Sequence, residues 1–276
     1  MGRRWTIGEE RQKLTELKRL YVRENKTIGE IGHILGVAPQ TVFQRLRRLG
    51  LESTPARKIT FAARRRSDIR IPAVYTPDLA EFFGIMLGDG RLAPTQIVVT
   101  LGTKEAEYAR YVVRLMKRLF GVRPKIGIRK RGYRDVYLGS MALVEWFRRE
   151  GLVHNKVQAQ VGIPRWVFAK ASYMSRFLRG FFDTDGSVYL LRFGSQLSFT
   201  NRSTPLLNGV RQMLQHLSYQ PSRLSAYRIY LTRHNNLIRF FKKICPANLK
   251  HRRRFAMITH IIDGGVGRPV GGGGRL

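Results

Sequence analysis

Two short motifs that end in Asp-Gly are the parts of this chain best suited to chemistry. The first, at residues 82–90, reads Phe-Phe-Gly-Ile-Met-Leu-Gly-Asp-Gly, and the second, at 178–186, reads Leu-Arg-Gly-Phe-Phe-Asp-Thr-Asp-Gly. Each predicts an apolar helix that ends at an aspartate, Asp89 or Asp185. Two carboxylates at the negative ends of neighbouring helix dipoles repel each other unless cations lie between them. The pair therefore indicates a divalent metal site with hard oxygen ligands, as Mg²⁺ prefers.

Small residues in both motifs predict that the two helices pack on each other. They lie four positions apart, as Gly84 and Gly88 in the first copy and as Gly180 and Thr184 in the second. Such spacing places both on one helix face, where two backbones can approach closely. Asp-Gly alone is an ordinary helix cap. The recurrence of the motif, with its small residues, favours a shared site.

The sequence after each motif repeats in kind, with the two aspartates 185 − 89 = 96 residues apart. Residues 96–100 match residues 196–200, and each stretch precedes a helical segment, at 104–120 and 205–217. A further strand and an amphipathic helix follow, at 133–138 and 142–150 in the first copy and at 227–231 and 236–244 in the second. One supersecondary unit is therefore duplicated.

On these motifs the chain resembles a two-repeat LAGLIDADG homing endonuclease over roughly residues 77–255. Residues 177–186 are close to the family pattern, whereas the first copy has Leu87 where the motif has its first aspartate. The resemblance implies an α+β fold, a pseudo-twofold pair of αββαββα units with saddle-shaped antiparallel sheets. It also implies cleavage of both strands of double-stranded DNA across the minor groove by Mg²⁺ shared between the two acids.

The resemblance assigns the metal ligands residue by residue. Asp89 and Asp185 align with the acidic ligands of the family, and the carbonyls of Gly88 and Thr184 align with further metal contacts. Leu87 departs from the motif at a position that is not a ligand in the family. The implied metal site is therefore complete in both copies.

The same resemblance implies catalytic residues on the sheets, but in the second repeat only. Asn201 and Arg233 align with polar residues that organise the water network, so they join the two aspartates as candidate catalytic residues. The first repeat has Leu101 and Ser140 at the matching positions. This asymmetry puts equal cutting of the two strands in doubt.

Composition independently indicates a polyanionic partner. The chain has 51 Lys and Arg against 18 Asp and Glu, a formal charge of +33 and a pI near 11.4. Nucleic acid is the expected counterion, either double-stranded DNA or intron RNA, although ribosomal or membrane-surface binding would also satisfy the charge. A single cysteine, Cys245, argues against a disulfide framework and against a multi-cysteine zinc site.

The chain also carries no sign of export or membrane insertion. It has no apolar run approaching 18 residues and no signal-peptide pattern. We therefore expect a protein that is not secreted and does not enter a membrane, in the cytoplasm with the nucleoid or in an organelle. The resemblance to two-repeat family members, which act as single chains, implies a monomer.

Residues 1–51 predict a separate helix-turn-helix domain. A helix at 11–23 is followed by one at 28–35, capped by Thr27 with Glu30 in a capping box, and by a third at 39–49 with Pro39 in its first turn. The third helix resembles a recognition helix. Its outward face carries side chains suited to base edges and phosphates, namely Gln40, Thr41, Gln44, Arg45 and Arg48. A small packing module with a solvated basic face is the alternative.

The rest of the chain divides into four further segments. Residues 52–76 predict a basic linker, which either follows phosphate or is a solvated tether. Residues 77–164 and 165–262 form the first and second LAGLIDADG repeats. Residues 263–276 are rich in glycine and predict a disordered tail.

Strands of the two repeats are expected to recognise bases. Basic residues in or beside the predicted strands are the candidate contacts, namely Lys125, Arg129, Arg131, Arg134, Arg192, Arg223 and Arg228. Gln96 and Gln196 suit bases near the cut. Two functions of another class remain open: a transcriptional regulator of LAGLIDADG origin with little or no activity, or an RNA maturase.

Overall fold

The structure is a computed structural model that describes residues 7–24, 26–51, 68–129, 132–191 and 194–263. It divides into two compact units, Met1–Arg65 and Arg66–Leu276. Several sequence predictions lie outside the described residues. They are residues 52–67 of the linker, residues 264–276 of the tail, and the candidate contacts Arg131 and Arg192.

In the first unit, residues 7–24 and 26–51 form three helices. They are α1 (Ile7–Lys18), which continues as a π-helical turn (Arg19–Arg23), α2 (Ile28–Ile34) and α3 (Pro39–Arg48). Their shared core contains Leu17, Leu20, Tyr21, Ile31, Val42 and Leu46.

Local sequence signals fix α2 and α3. The Thr27 hydroxyl accepts a hydrogen bond from the Glu30 N–H at 3.2 Å, and the Glu30 carboxylate accepts one from the Thr27 N–H at 2.6 Å, so the predicted capping box is confirmed. Pro39 opens α3, as predicted. Gly32 allows the turn between the helices to close, because a Cβ there would lie 2.7 Å from the Val37 carbonyl oxygen.

The second unit contains two successive arrangements of helices and antiparallel strands. The first comprises α4 (Pro77–Leu87), β1 (Gly90–Leu92), β2 (Gln96–Leu101), α5 (Ala106–Phe120), β3 (Lys125–Ile128), β4 (Arg134–Gly139) and α6 (Met141–Arg149). The second comprises α7 (Ala171–Asp185), β5 (Gly186–Leu191), β6 (Gly194–Thr200), α8 (Thr204–His216), β7 (Arg228–Leu231), α9 (His234–Lys243) and α10 (Leu249–Asp263). This is the predicted α+β fold with paired units.

The second repeat departs from the αββαββα order, because its described residues form three strands. The sheets have the orders β1-β2-β4-β3 and β5-β6-β7. Where a strand before β7 was implied, the Ser222 N–H donates to the Tyr230 carbonyl and the Ser222 hydroxyl accepts from the Tyr230 N–H. A tight turn follows at once, with Ala226 and Tyr227 at positive φ. The chain therefore reverses before a ladder can extend.

The motif helices α4 and α7 pack at backbone contact. A Cβ added at Gly84 would lie 2.7 Å from the Phe181 nitrogen and closer still to the Phe177 carbonyl oxygen. A Cβ at Gly180 would lie 3.1 Å from the Ile85 nitrogen and would overlap the Glu81 carbonyl oxygen. The predicted close packing of the two helices is confirmed.

One apolar core joins both repeats. Alternate residues of the strands, such as Ile97, Val99 and Leu197, point into it together with the apolar faces of the helices. The other face of each sheet is left uncovered by this core, and we call it the open face. None of the described helices is long and apolar enough to span a membrane.

Candidate functional site

The packed motif helices bring Asp89 and Asp185 together. Asp89 lies two residues after the end of α4, and Asp185 is the last residue of α7. Gly88 lies directly against the second motif, because a Cβ there would be 3.4 Å from the Asp185 Cγ. Burial raises the pKa of Asp185 to about 7, and the negative charge of Asp89 adds to this increase. The hydrogen bond from Asn201 and the charges of Lys156 and Lys250 oppose it. Two half-buried acids therefore share one site.

Burial also raises the pKa of Asp89, and its surroundings differ from those of Asp185. The carboxylate of Glu105 adds to this increase, while the ammonium groups of Lys250 and Lys156 oppose it. Each aspartate thus lies within the electrostatic field of the same two lysines. The lysines supply the positive charge that a pair of acids requires.

Lys156 caps the carboxyl end of α4. Its Nζ donates to the carbonyls of Met86 at 2.8 Å, Leu87 at 3.0 Å and Gly88 at 2.5 Å. Burial lowers the pKa of Lys156 to about 8, against the raising effect of the two aspartates. Because the Gly88 carbonyl oxygen accepts a hydrogen bond from this ammonium group, a metal ion that bound there would have to share that oxygen with Lys156 or displace Lys156.

Lys250 approaches from α10 and is tied to Glu105. Its Nζ lies 2.7 Å from the Glu105 carboxylate, which also accepts from the Asn248 side chain at 2.7 Å and from the Gly102 N–H at 2.7 Å. Asp183, the first aspartate of the second motif, accepts from the Asn248 N–H at 3.0 Å and so caps the start of α10. The motif therefore positions Lys250 through α10.

Asn201 holds Asp185 from the second sheet. Its Nδ2 donates to the Asp185 carboxylate at 2.6 Å, immediately after β6 ends. The matching residue of the first repeat, Leu101, is buried in the core. Ser140 instead caps α6 through the Leu143 N–H at 3.2 Å. The sequence-level asymmetry between the repeats is therefore present at the site.

Two further predicted site residues contribute no side chain to the acid pair. Arg233 is exposed at the start of α9, and among the described residues no hydrogen bond or ion pair joins it to either aspartate. The Thr184 hydroxyl donates to the carbonyls of Gly180 and Phe181 within its own helix. The proposed roles of Arg233 and of the Thr184 carbonyl stay predictions.

The donor set suits a divalent ion that keeps water ligands. In the described part of the chain no group of three or more His, Cys, Asp or Glu side chains is placed to hold an ion. Two carboxylates, here Asp89 and Asp185, are the protein share that Mg²⁺ commonly takes when the remaining ligands are water and substrate phosphate. The residues present therefore fit Mg²⁺ better than a metal that needs an all-protein cage.

The open faces carry several of the predicted nucleic-acid contacts. By strand alternation Gln96, Lys125 and Arg129 share the open face of the first sheet, and Gln196 and Arg228 share that of the second. The two faces therefore present matched glutamines and at least one basic residue each.

Other predicted contacts lie elsewhere. Arg134 alternates to the opposite side of β4 and donates to the Thr103 carbonyl. Arg223 is exposed beside Ser222. On α3 of the first unit, Gln40, Gln44 and Arg48 are exposed, whereas Thr41 and Arg45 are half-buried. Their contacts with nucleic acid stay predictions.

Lys156 and Lys250 were not predicted from the sequence as site residues. They lie 250 − 156 = 94 residues apart, close to the spacing of 96 between the aspartates, and each follows the last helix of the duplicated unit. The difference of two residues means that the repeat offset does not align them. The two lysines differ in their contacts, because Lys156 binds the carbonyls that end α4 and Lys250 binds Glu105.

Comparison with known proteins identifies the second repeat. Residues 172–245 match the family model described as a LAGLIDADG-like domain. This match covers α7 through α9, including Asp185 and Asn201. The second repeat is therefore similar to a LAGLIDADG-like domain, and the α+β fold with two units is consistent with the two-unit LAGLIDADG arrangement.

Curated relatives match over short parts of longer proteins. The chain is 25% identical over 228 residues to replicative DNA helicase DnaB of Rhodothermus marinus, covering 72% of this chain and 24% of that protein. It is 29% identical over 115 residues to the replication factor C small subunit of Methanocaldococcus jannaschii, covering 41% and 6%. The chain thus spans a quarter or less of each, and their activities are not carried over.

Solved structures with a similar arrangement include homing endonucleases and a WhiA protein. A mesophilic variant of the homing endonuclease I-DmoI has a TM-score of 0.44 at 18% identity, covering 61% of this chain and 94% of that chain. Full-length WhiA from Thermatoga maritima has a TM-score of 0.45 at 18% identity, covering 72% and 65%. The meganuclease I-SmaMI bound to uncleavable DNA has a TM-score of 0.45 at 12% identity, covering 67% and 90%. These similarities do not identify the activity of this chain.

Proposed function

We propose that this chain is a site-specific DNA endonuclease, which hydrolyses phosphodiesters in both strands of a long duplex target with Mg²⁺ held between Asp89 and Asp185. The observation that carries the proposal is the meeting of these acids where two closely packed helices end. If the two aspartates served only to cap their helices, they would not need to be half-buried and close to the charges of Lys156 and Lys250. Such a group of charges suits a phosphate under attack.

The chain's own residues would prepare the site for the substrate. Asn201 donates to one oxygen of Asp185 and so fixes the orientation of a carboxylate that would hold the metal. Lys156 and Lys250 offset the charge of the acids and would attract the scissile phosphate. Bound Mg²⁺ would supply Lewis acidity and an activated water.

The partner in this proposal is double-stranded DNA. The charge of +33 provides strong attraction to a polyanion, and the open faces present Lys125, Arg228 and two glutamines at pleat spacing. The basic third helix of the first unit would add contacts outside the two repeats. We propose that the protein acts as a monomer. Its location would be that of its DNA, either the cytoplasm that contains the nucleoid or an organelle.

An amide substitution at one acid tests the proposal. Asp185→Asn keeps the shape of the side chain and its place beside Asn201, but it removes the charge needed for the metal. We expect loss of Mg²⁺-dependent cleavage of DNA selected from a random library, with binding in Ca²⁺ retained. Glu145→Gln, the same change at an exposed acid of α6, is the matched control and should cut normally. Full cleavage by Asp185→Asn would refute the assignment.

A DNA-binding regulator is the second candidate, and two observations favour it. Lys156 already occupies the Gly88 carbonyl, and the first repeat has buried Leu101 where the second has Asn201. Such a site could bind DNA and cut it slowly or not at all. Sequence-specific binding in Ca²⁺ without cleavage in Mg²⁺ would indicate a regulator. Preference for structured intron RNA over duplex DNA would indicate a maturase.

A further inference from the structure

A carboxylate surrounded by donors lies on the open face of the first sheet. The Asp135 Oδ2 accepts from the Arg129 Nε at 2.7 Å and lies 2.7 Å from the Arg129 Nη2. Its Oδ1 accepts from the Thr100 hydroxyl at 2.7 Å, and the Arg91 Nη2 lies 3.8 Å from Oδ2. The Asp135 side chain is 15% exposed, whereas that of Arg129 is 47% exposed. The acid is thus covered by groups that themselves remain accessible.

The register places all four side chains on the same face. Thr100 pairs with Asp135 across β2 and β4, and Arg91 pairs with Val98 across β1 and β2. The Arg129 N–H donates to the Tyr133 carbonyl at 2.8 Å, which continues the alternation of β3 by one residue. The ion pair is therefore built from three neighbouring strands and the end of a fourth.

The pair uses one edge of the Arg129 guanidinium. Nε and Nη2 face the carboxylate, so the donors of Nη1 and the second hydrogen of Nη2 are not used by Asp135. Two parallel donors on that other edge match O6 and N7 of a guanine in the major groove. A planar group already fixed by a carboxylate loses little freedom when it binds, which favours a directional contact.

An acid on this face has no use in holding phosphate. Its negative charge repels a polyanion. A surface that served only to bind phosphate would therefore carry the basic side chains without Asp135. The side chain itself is not well placed to read a base, because both of its oxygens already accept hydrogen bonds. What the carboxylate provides is the orientation of Arg129.

We propose that Asp135 is a positioning residue that fixes Arg129 to read one guanine of the target, supported by Thr100 and Arg91. This inference rests on the proposed binding of DNA by the open faces. The described residues of the second sheet hold no such ion pair, because Thr200 pairs with Arg228 where Thr100 pairs with Asp135. The guanine contact therefore belongs to one half of the target, and the two halves are read differently.

Base-pair scanning of a selected target tests this assignment. A duplex is first selected from random DNA by wild-type protein in Ca²⁺, and each base pair is then replaced in turn. We expect one G·C pair at which wild type discriminates by about 5- to 150-fold, as a bidentate contact does. Asp135→Asn should lose this discrimination at that pair alone, and Thr100→Val should lose part of it. Arg129→Ala should lose it fully, and the double variant Arg129→Ala/Asp135→Asn should lose no more.

Lys125→Ala is the matched control on the same face. Lys125 has no carboxylate partner in the described residues, so its loss should weaken all sequences alike and reduce the salt slope by about 1. Specific wild-type binding with unchanged discrimination in Asp135→Asn would overturn the proposal. So would effects of Asp135→Asn and Arg129→Ala at different base pairs. A wild-type protein that prefers no sequence would overturn the proposed function as well.

Discussion

Gly84→Ala should weaken the fold and the acid pair together, although alanine favours helices. In a helix interior alanine is about 1 kcal/mol better than glycine. The new Cβ would lie 2.7 Å from the Phe181 nitrogen and would overlap the Phe177 carbonyl oxygen. Overpacking typically costs about 1–3 kcal/mol, and the upper end applies because no side-chain rotamer can move out of the way. The net expected loss is about 2 kcal/mol, or roughly 4–8 °C in Tm for a unit of this size.

The displacement should also reach the acids. Helices α4 and α7 must separate to admit the methyl group, and an error on the order of 1 Å at a reacting centre can reduce a rate 100-fold. Calorimetry gives the Tm, and Ca²⁺ titration of the DNA complex reports the acid pair. Gly29→Ala in α2 is the matched control, since its Cβ would meet only the Thr27 Oγ1, at 4.0 Å, and should stabilise slightly. An unchanged or raised Tm in Gly84→Ala, with Ca²⁺ binding intact, would refute the packing argument.

Three further perturbations have defined outcomes. Glu81→Ala should lower the free energy of unfolding in urea by about 2–4 kcal/mol, since it leaves the half-buried guanidinium groups of Arg176 and Arg179 without the buried acid between them. A loss below about 1 kcal/mol would contradict this. Asp183→Ala should cost about 1–2 kcal/mol and expose α10 to proteolysis, because the carboxylate accepts from the N–H groups of Ala247 and Asn248, the two residues that precede that helix. Unchanged protease resistance would argue against this role. DNA binding should weaken with a slope near −9 in log affinity against log salt if about 10 phosphates are neutralised, and a shallow slope would count against that footprint.

The paired helices could be predicted from sequence because their signal is local and occurs twice. Gly84 and Gly180 mark helix faces that tolerate backbone contact, and Asp-Gly marks where each helix ends. Hydrophobic spacing then places the strands and helices that follow. The three helices of the first unit could be predicted for the same reason, since the capping box at Thr27 and the effect of Pro39 each act within one helical turn.

The lysines of the site could not be distinguished in the same way. In a chain with 51 Lys and Arg, a lone lysine in a connecting segment carries no signal of its own. Lys156 becomes specific only because the chain after α6 returns to the three carbonyls that end α4, some 70 residues earlier in sequence. Helix α10 was missed for a related reason, because its start is fixed by Asp183, 65 residues before Asn248.

The contact between the repeats explains why their surfaces can differ. Glu81, 0% exposed on α4, lies 3.5 Å from Arg179 of α7, while the offset of 96 places Phe177 at the position equivalent to Glu81. Two copies of α7 packed on each other would bury Arg179 without its acid, and two copies of α4 would bury two glutamates together. Each repeat therefore pairs best with the other. Because the two helices of the pair differ, the two open faces can differ as well, with Asp135 on one and Arg228 on the other. Such a molecule would suit a DNA target whose two halves differ better than a palindromic one.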